Sequence, residues 1–227
     1  MRLYLVRHFE STKNKRAALS KKDADTDVLT AHGRRMAAVF ARALLDEASG
    51  NDIRIGSVLA SPSARSVESA RIVADTMGID DVRSCEFLRS TAAGPYTGYS
   101  LQKIRRLNKE WYDMLLLYRA GLFNQYRFDE PPLSIGAEPK SAFEQRVLAG
   151  LLPILSAPAG QAVLVVAGRS ALIAIMLHFA REYYGYPRDF YGYVPLALGA
   201  VSILNRRDDS SWEFITVNSR LRGSTGS

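Results

Sequence analysis

A histidine that directly follows an arginine, at the end of a short apolar run, is the first candidate for chemistry in this chain. Leu3-Tyr4-Leu5-Val6 leads into Arg7-His8, and such a run predicts a buried strand. A histidine where a strand leaves a sheet can donate from one ring nitrogen to a backbone carbonyl and present the other. Such a neutral imidazole is a nucleophile toward phosphorus, and an adjacent guanidinium matches phosphate oxygens. Taken alone, His8 is better explained as a strand-end histidine with an ordinary hydrogen bond.

Arg65 is the second candidate, because it follows Ser61-Pro62. A serine followed by a proline predicts a helix with Ser61 as its N-cap and Pro62 as its first residue. Backbone N–H groups and the positive end of the helix dipole attract an anion there, and Arg65 in the first turn can reach the same anion. A surface role is the alternative, and it is the commoner fate of a single arginine.

Apolar strands that alternate with amphipathic helices must position these residues. This alternation predicts an α/β fold, a three-layer αβα sandwich with a mostly parallel central sheet. The predicted strands span residues 2–6, 53–59, 82–88, 162–166, 201–204 and 212–217. The predicted helices span residues 30–47, 61–77, 100–118, 141–155 and 171–184. In such folds ligands bind beyond the carboxyl ends of the central strands, so the turns at Arg7-His8 and Ala167-Gly168 matter most.

Smaller signals refine these elements. Thr30 is a predicted N-cap, and Gly78 is a predicted helix stop. Ser141 with Glu144 predicts a capping box. Residues 13–22 and 123–139 are predicted loops, and residues 219–227 are a predicted flexible tail.

Composition limits the classes of function. The chain has 227 residues with a net charge of +7, and a basic surface suits nucleic acid, anionic membranes or phosphorylated metabolites. Its one cysteine, Cys85, excludes an intramolecular disulfide and is typical of a reducing compartment. The longest apolar stretch, 171–177, is far shorter than a bilayer span. We therefore expect a cytoplasmic protein without membrane association. Nucleic-acid binding ranks last, because no recognisable module for it is present.

The combination of motifs resembles one family. Leu5-Val6-Arg7-His8-Phe9-Glu10-Ser11 with Asn14 resembles the signature of the histidine phosphatase (phosphoglycerate-mutase-like) superfamily. Three further stretches resemble its later landmarks in the family's order: Leu29-Thr30-Ala31-His32-Gly33, then Ser61-Pro62-Ser63-Ala64-Arg65-Ser66-Val67-Glu68-Ser69-Ala70, then Ile135-Gly136-Ala137-Glu138 with Phe143, Arg146 and Val147. The resemblance runs from residue 3 to about residue 204. It implies a phosphoglycerate-mutase-like domain over residues 1–218, with a helical insertion at about 95–139.

The resemblance also implies roles for single residues. His8 would become phosphohistidine, and Arg7 and Arg65 would hold the phosphoryl group with Asn14 nearby. Gly168 would line the phosphate site. No metal or organic cofactor is implied.

Three residues depart from the family pattern. Phe9 replaces a glycine, so we expect it to crowd the pocket or divert the loop. Ser90 stands where the family usually has an acid that protonates the leaving group, so Glu86 or Glu10 would have to substitute. Ala167 stands where a second catalytic histidine is expected.

We therefore predict a phosphatase that acts on a phosphorylated small molecule through a phosphohistidine on His8. A mutase is less favoured, because residues 91–100 lack a mutase-like sequence. The alanine at 167 has two explanations, deliberate substitution of a catalytic histidine or natural decay. The alternative function is a natural pseudoenzyme that binds a phosphorylated ligand or partner without turnover. Basic residues near the expected site predict a polyanionic substrate, with solvated basic patches as the alternative: Lys13, Lys15, Arg16, Lys21, Lys22, Lys103, Arg105 and Arg106.

Overall fold

Six strands form one central sheet in the computed structural model of the chain. The structure describes residues 1–16, 27–92, 94–97, 99–119, 136–156, 162–187 and 194–221. The strands are β1 (Arg2–Arg7), β2 (Ile55–Ala60), β3 (Val82–Ser84), β4 (Ala162–Ala167), β5 (Val201–Arg206) and β6 (Trp212–Ser219). Their order across the sheet is β3-β2-β4-β1-β5-β6.

The centre of the sheet is parallel and brings three carboxyl ends together. Strand β4 pairs in parallel with both β1 and β2, and Arg7 lies opposite Ala167 in the register. The backbone N–H of Ser61, directly after β2, donates to the carbonyl of Val166 at 2.9 Å. Among the described strands, the pairs β1–β5 and β5–β6 are antiparallel. The mostly parallel sheet predicted from the sequence is confirmed.

Helices cover both faces of this sheet. Seven α-helices lie in the described part of the chain: α1 (Thr12–Arg16), α2 (Ala31–Gly50), α3 (Ala64–Met77), α4 (Leu101–Leu107), α5 (Lys109–Arg119), α6 (Lys140–Leu155) and α7 (Arg169–Tyr184). Because side chains alternate along a strand, Leu3 and Leu5 join a core with α6 and α7, whereas Tyr4 and Val6 join a core with α2 and α3. These layers make the predicted three-layer sandwich.

Helices α4 and α5 have a small core of their own. Ile104, Trp111 and Met114 form it, and the predicted single helix over 100–118 is wrong. The helix is interrupted at Asn108, whose φ and ψ are −152° and 91°. Its side-chain oxygen accepts from the backbone N–H of Trp111 at 2.8 Å, which is the geometry of a helix N-cap. A short asparagine side chain that competes for backbone hydrogen bonds therefore starts a new helix.

Several helix starts differ from the sequence prediction. The N-cap of α3 is Ser63, two residues after the predicted Ser61, since Ser61 is held by β4. The predicted capping box is wrong, because Pro139 caps α6 and the Glu144 carboxylate accepts from Arg181 at 2.6 Å instead. Thr30 is confirmed as the cap of α2, and its hydroxyl accepts from the N–H of Gly33 at 2.9 Å.

Other boundaries also shift. The predicted third strand stops at Ser84, and a 3-10 turn follows at Glu86–Leu88. The first part of the loop predicted at 13–22 belongs to α1, while residues 17–26 lie outside the described residues, as do most of the predicted loop at 123–139 and residues 222–227. Among the described helices, none has the length and hydropathy needed to cross a bilayer.

Candidate active site

His8 lies directly beyond the carboxyl end of β1 and is almost fully buried, with 4% of its surface exposed. Its backbone N–H donates to the carbonyl of Ala167 at 3.1 Å, which continues the β1–β4 ladder by one residue. Its Nδ1 lies 2.9 Å from the carbonyl oxygen of Phe9. A carbonyl can only accept, so Nδ1 carries the proton in this contact.

Arg65, in the first turn of α3, holds the other ring nitrogen of His8. Its Nε donates to His8 Nε2 at 2.9 Å. A guanidinium has no acceptor, so Nε2 must present its lone pair. The two contacts together select the neutral tautomer, which has a proton on Nδ1 and a lone pair on Nε2 that accepts from Arg65.

The environment also keeps this imidazole neutral. Burial lowers the pKa of His8 from 6.5 to about 3, and the positive charge of Arg65 adds to the shift. The charge of Arg7 acts in the same direction, although more weakly. His8 is therefore an unprotonated base at neutral and mildly acidic pH, which is the form a nucleophile needs.

Asp27 is a member of the site that sequence reasoning missed. Its carboxylate forms an ion pair with Arg65 Nη1, and it accepts from the backbone N–H of Lys13 at 2.9 Å and from the Thr12 hydroxyl at 3.1 Å. Burial alone would raise the pKa of Asp27, but the Lys13 N–H and the Arg65 charge outweigh it and hold the pKa below its usual value. Nothing in the sequence signals this role, because the contact joins residues 38 positions apart.

Lys13 adds a second cation near this cluster. Its side chain is half-buried, and burial together with the charge of Arg65 lowers its pKa to about 8. Lys13 is thus a member of the predicted basic group at 13–22 that lies near Arg65 and Asp27.

Arg7 and Asn14 are anchored by other contacts. The Arg7 guanidinium donates from Nη1 to the carbonyl of Leu196. The Asn14 side-chain oxygen accepts from both the N–H and the hydroxyl of Ser11 at 2.9 Å, so it closes the turn between β1 and α1. Asn14 is exposed and lies in α1, directly after Lys13.

Ala167 and Gly168 form the neighbouring turn, between β4 and α7. Ala167 is fully buried as the last residue of β4. Gly168 is the N-cap of α7, with a backbone at φ −72° and ψ 157°. A Cβ atom at Gly168 would lie 3.3 Å from the hydroxyl of Ser90. Ser90 therefore lies beside this turn, as its position in the family pattern implies.

The side chain of Phe9 points into the core rather than into the site. It is 1% exposed and packs in the core under α2, with its ring 5.5 Å from the ring of Phe40. Gly199 makes room for it, since a Cβ there would lie only 2.6 Å from the Phe9 ring. Because the ring packs in the core beside Phe40, it does not crowd the pocket as one of the two expectations had it, and diversion of the loop stays a prediction.

The two acids considered as proton donors make other contacts. Glu86 has a largely exposed side chain, 79%, that pairs with Arg89 at 3.5 Å. Glu10 accepts from the hydroxyl of Thr30 at 2.6 Å and so supports the start of α2. His8, Arg65 and Asp27 are joined directly, whereas the ion pair of the Glu86 side chain is with Arg89. Within the described residues, no group of three His, Cys, Asp or Glu side chains is arranged to hold a metal ion.

Comparison with known proteins identifies the family of this chain. The model of the histidine phosphatase superfamily (branch 1) matches residues 3–220. Bacillus stearothermophilus YhfR has a similar structure, with 22% identity, 97% of this chain and 99% of that chain covered, and a TM-score of 0.74. An alpha-ribazole phosphatase from Shigella flexneri is 20% identical over 100% of both chains, with a TM-score of 0.73. A phosphoglycerate mutase from Bacillus anthracis is 18% identical, with 97% of this chain and 93% of that chain covered and a TM-score of 0.73. No curated protein sequence matches the chain.

Proposed function

This chain belongs to the histidine phosphatase superfamily, and we propose that it is a phosphatase that hydrolyses a small phosphomonoester through a phosphohistidine on His8. One observation carries the proposal: the Phe9 carbonyl and the Arg65 guanidinium hold His8 as a neutral imidazole with its Nε2 lone pair turned to an arginine. That arrangement combines a nucleophile with a group that binds phosphate.

In the first step, His8 Nε2 attacks phosphorus and the bond to the leaving oxygen breaks. Without substrate, Arg65 donates to His8 Nε2. We propose that the guanidinium N–H groups of Arg65 donate to the phosphoryl oxygens instead when substrate binds. Arg7 would supply further positive charge, and the backbone at Gly168 would border the phosphoryl group. Such fixed donors stabilise the charge that grows in the transition state. The Nδ1–H bond to Phe9 stabilises the imidazolium-like intermediate.

In the second step, water attacks the phosphorus of phosphohistidine and inorganic phosphate leaves. The leaving oxygen of the first step must gain a proton, and the water of the second must lose one. We propose that the domain over residues 1–218, which includes the insertion at about 95–139, provides this chemistry. A phosphatase is favoured over a mutase, since residues 91–100 lack a mutase-like sequence.

A pseudoenzyme that binds a phosphorylated ligand without turnover is the second candidate. Ala167 favours it, because this buried methyl group offers no hydrogen-bond donor to a phosphoryl oxygen. The loss of one such donor costs about 3–4 kcal/mol of transition-state stabilisation, or roughly 10²–10³ in turnover. Phosphate binding should fall less, because Arg7, Arg65 and His8 remain.

Phosphate release across a panel of phosphorylated metabolites and an aryl phosphate tests the proposal. We expect slow release by the parent chain, faster release by Ala167→His by roughly 10²–10³, and none by His8→Ala in either background. Arg65→Ala should weaken the stabilisation of the fold by phosphate or vanadate. If Ala167→His binds phosphate but hydrolyses nothing in the panel, the pseudoenzyme is the correct function.

A further inference from the structure

The proposed reaction needs an acid, and the residue at the family's acid position cannot supply one. Ser90 lies beside Gly168, but a serine hydroxyl is a far weaker acid than the groups that act as efficient general acids near neutral pH. Glu86, nearby in sequence, extends into solvent and pairs with Arg89. Glu10 is held by Thr30. A carboxyl group in direct contact with the His8–Arg65 pair is a better candidate.

Asp27 is the carboxyl group in contact with the His8–Arg65 pair. Only 5% of Asp27 is exposed, and Arg65 bridges it to His8 with Nη1 on the carboxylate and Nε on the imidazole. The Asp27 carboxylate thus lies on the same arginine that faces the attacking nitrogen. The Lys13 N–H and the Thr12 hydroxyl fix its position from α1.

We propose that Asp27 is the proton donor of the first step and the proton acceptor of the second, in place of the acid that Ser90 lacks. This assignment rests on the phosphatase function proposed above. It makes Asp27 a catalytic residue that touches the leaving oxygen and then the attacking water.

The charges around Asp27 determine when it carries the proton. Without substrate, the carboxylate faces Arg65 and the Lys13 side chain, which favour its ionised form. A bound phosphate monoester brings up to two negative charges to the same arginine and shares its donors. The negative charge of a phosphate bound to the same arginine disfavours the ionised form of the Asp27 carboxyl group. Substrate binding is therefore accompanied by uptake of one proton, which resides on Asp27.

The step then balances. His8 Nε2 forms the bond to phosphorus, the phosphorus–oxygen bond to the leaving group breaks, and the Asp27 proton passes to that oxygen to give the free alcohol. Asp27 is now a carboxylate. It takes a proton from the water whose oxygen bonds to phosphorus while the bond between phosphorus and His8 Nε2 breaks. The products are phosphate, neutral His8 and protonated Asp27.

Leaving-group dependence tests this role in Asp27→Asn, which keeps the size of the side chain. An alkyl phosphate needs a proton on its leaving oxygen, whereas the dinitrophenolate of 2,4-dinitrophenyl phosphate leaves without one. We expect Asp27→Asn to lower turnover of the alkyl ester by roughly 10²–10⁴ and to change turnover of the dinitrophenyl ester by less than about tenfold. Glu86→Gln is the matched control, and we expect no change with either ester. Both variants are made in the parent and in Ala167→His.

To show that each variant folds and binds phosphate, its thermal unfolding midpoint is measured with and without inorganic phosphate. The assignment is overturned by equal loss on both esters in Asp27→Asn, by no loss on the alkyl ester, or by selective loss in Glu86→Gln. Faster turnover of both esters in Asp27→Asn would also overturn it, because Asp27 would then only compete with substrate for Arg65. If hydrolysis depends on His8 in these experiments, the proposed function stands while the Asp27 assignment falls. If no background hydrolyses either ester, both are wrong.

Discussion

His8 shows how two ordinary contacts set the chemistry of a side chain. A carbonyl that can only accept and a guanidinium that can only donate leave one tautomer for the ring between them. Burial beside Arg65 then lowers the pKa of the ring to about 3, so the base stays unprotonated. The same shift links the site to the stability of the whole fold.

The sign of that linkage gives a prediction for the dependence of stability on pH. The unfolded chain protonates His8 near its ordinary pKa of 6.5, while the folded chain does so only near 3. Between these values the unfolded state binds one more proton, so the free energy of unfolding falls as pH falls, by up to about 1.4 kcal/mol per pH unit. We expect His8→Gln to lose this part of the slope between pH 6 and pH 4, measured by urea unfolding.

A matched control is available on α2. His32 is exposed, so we expect His32→Gln to keep the slope of the parent. Glu138, whose pKa is also lowered, pairs with Arg146, and we expect it to contribute equally to all three proteins. If His8→Gln and the parent lose stability equally between pH 6 and pH 4, the neutral buried state of His8 is wrong.

Residues of the site differed in how well the sequence revealed them. His8 and Arg65 were predictable because the motifs around them carry their strand end and helix start, and the structure joins them directly. Asp27 was not predictable, since its role comes from an ion pair with Arg65 of α3 and from hydrogen bonds donated by α1, rather than from a local pattern. The direction of the Phe9 ring was also hidden, because it depends on the space that Gly199 leaves.

At the scale of elements, strands were easier to predict than helix boundaries. Unbroken apolar runs such as 162–166 have few alternatives to a buried parallel strand, and β4 was found with one more residue. Helix starts depend on which polar side chain is free to cap, and tertiary contacts decided this at Ser61 and Glu144. The break at Asn108 has a local origin instead, since the Asn108 side chain caps the next helix at Trp111.

The start of α2 offers a test of capping energetics. The Thr30 hydroxyl accepts from the N–H of Gly33 at 2.9 Å and donates to Glu10 at 2.6 Å. We expect Thr30→Ala to lower the free energy of unfolding by about 1–2 kcal/mol, since it removes the cap and the support of the Glu10 loop. Urea unfolding measures this.

Ser100→Ala is the control for this change. Ser100 caps the short α4 through the N–H of Lys103 at 3.1 Å, and α4 packs in a small core separate from those of the sheet. We expect a smaller loss of global stability than for Thr30→Ala. A loss as large as that of Thr30→Ala would show that the insertion and the sheet unfold as one unit.

At the scale of the whole molecule, the net charge of +7 favours an anionic substrate. Lys103, Arg105 and Arg106 on α4 are exposed, and Lys103 lies 3.6 Å above the ring of Tyr99. If these residues attract a polyanionic substrate, kcat/KM for the best substrate should fall steeply as salt rises. We expect the triple replacement by glutamine to flatten that dependence.

Arginines already paired with carboxylates serve as the control. Arg34 pairs with Glu68, and Arg207 pairs with Glu213. We expect glutamine at both positions to leave the salt dependence as it is in the parent. An equal flattening by both sets would mean that only net charge matters, and a flat response in the parent would remove the attraction altogether.

Chemical detection of phosphohistidine is the most direct measurement of the central claim. The parent and Ala167→His are mixed with a phosphomonoester and quenched in alkali, and peptides are searched for a phosphoryl group by mass spectrometry. We predict that it lies on His8, that it accumulates faster in Ala167→His, and that Arg65→Ala lowers it strongly. Phosphate release without modified His8 at any time, or a phosphoryl group on another residue, would contradict the claim.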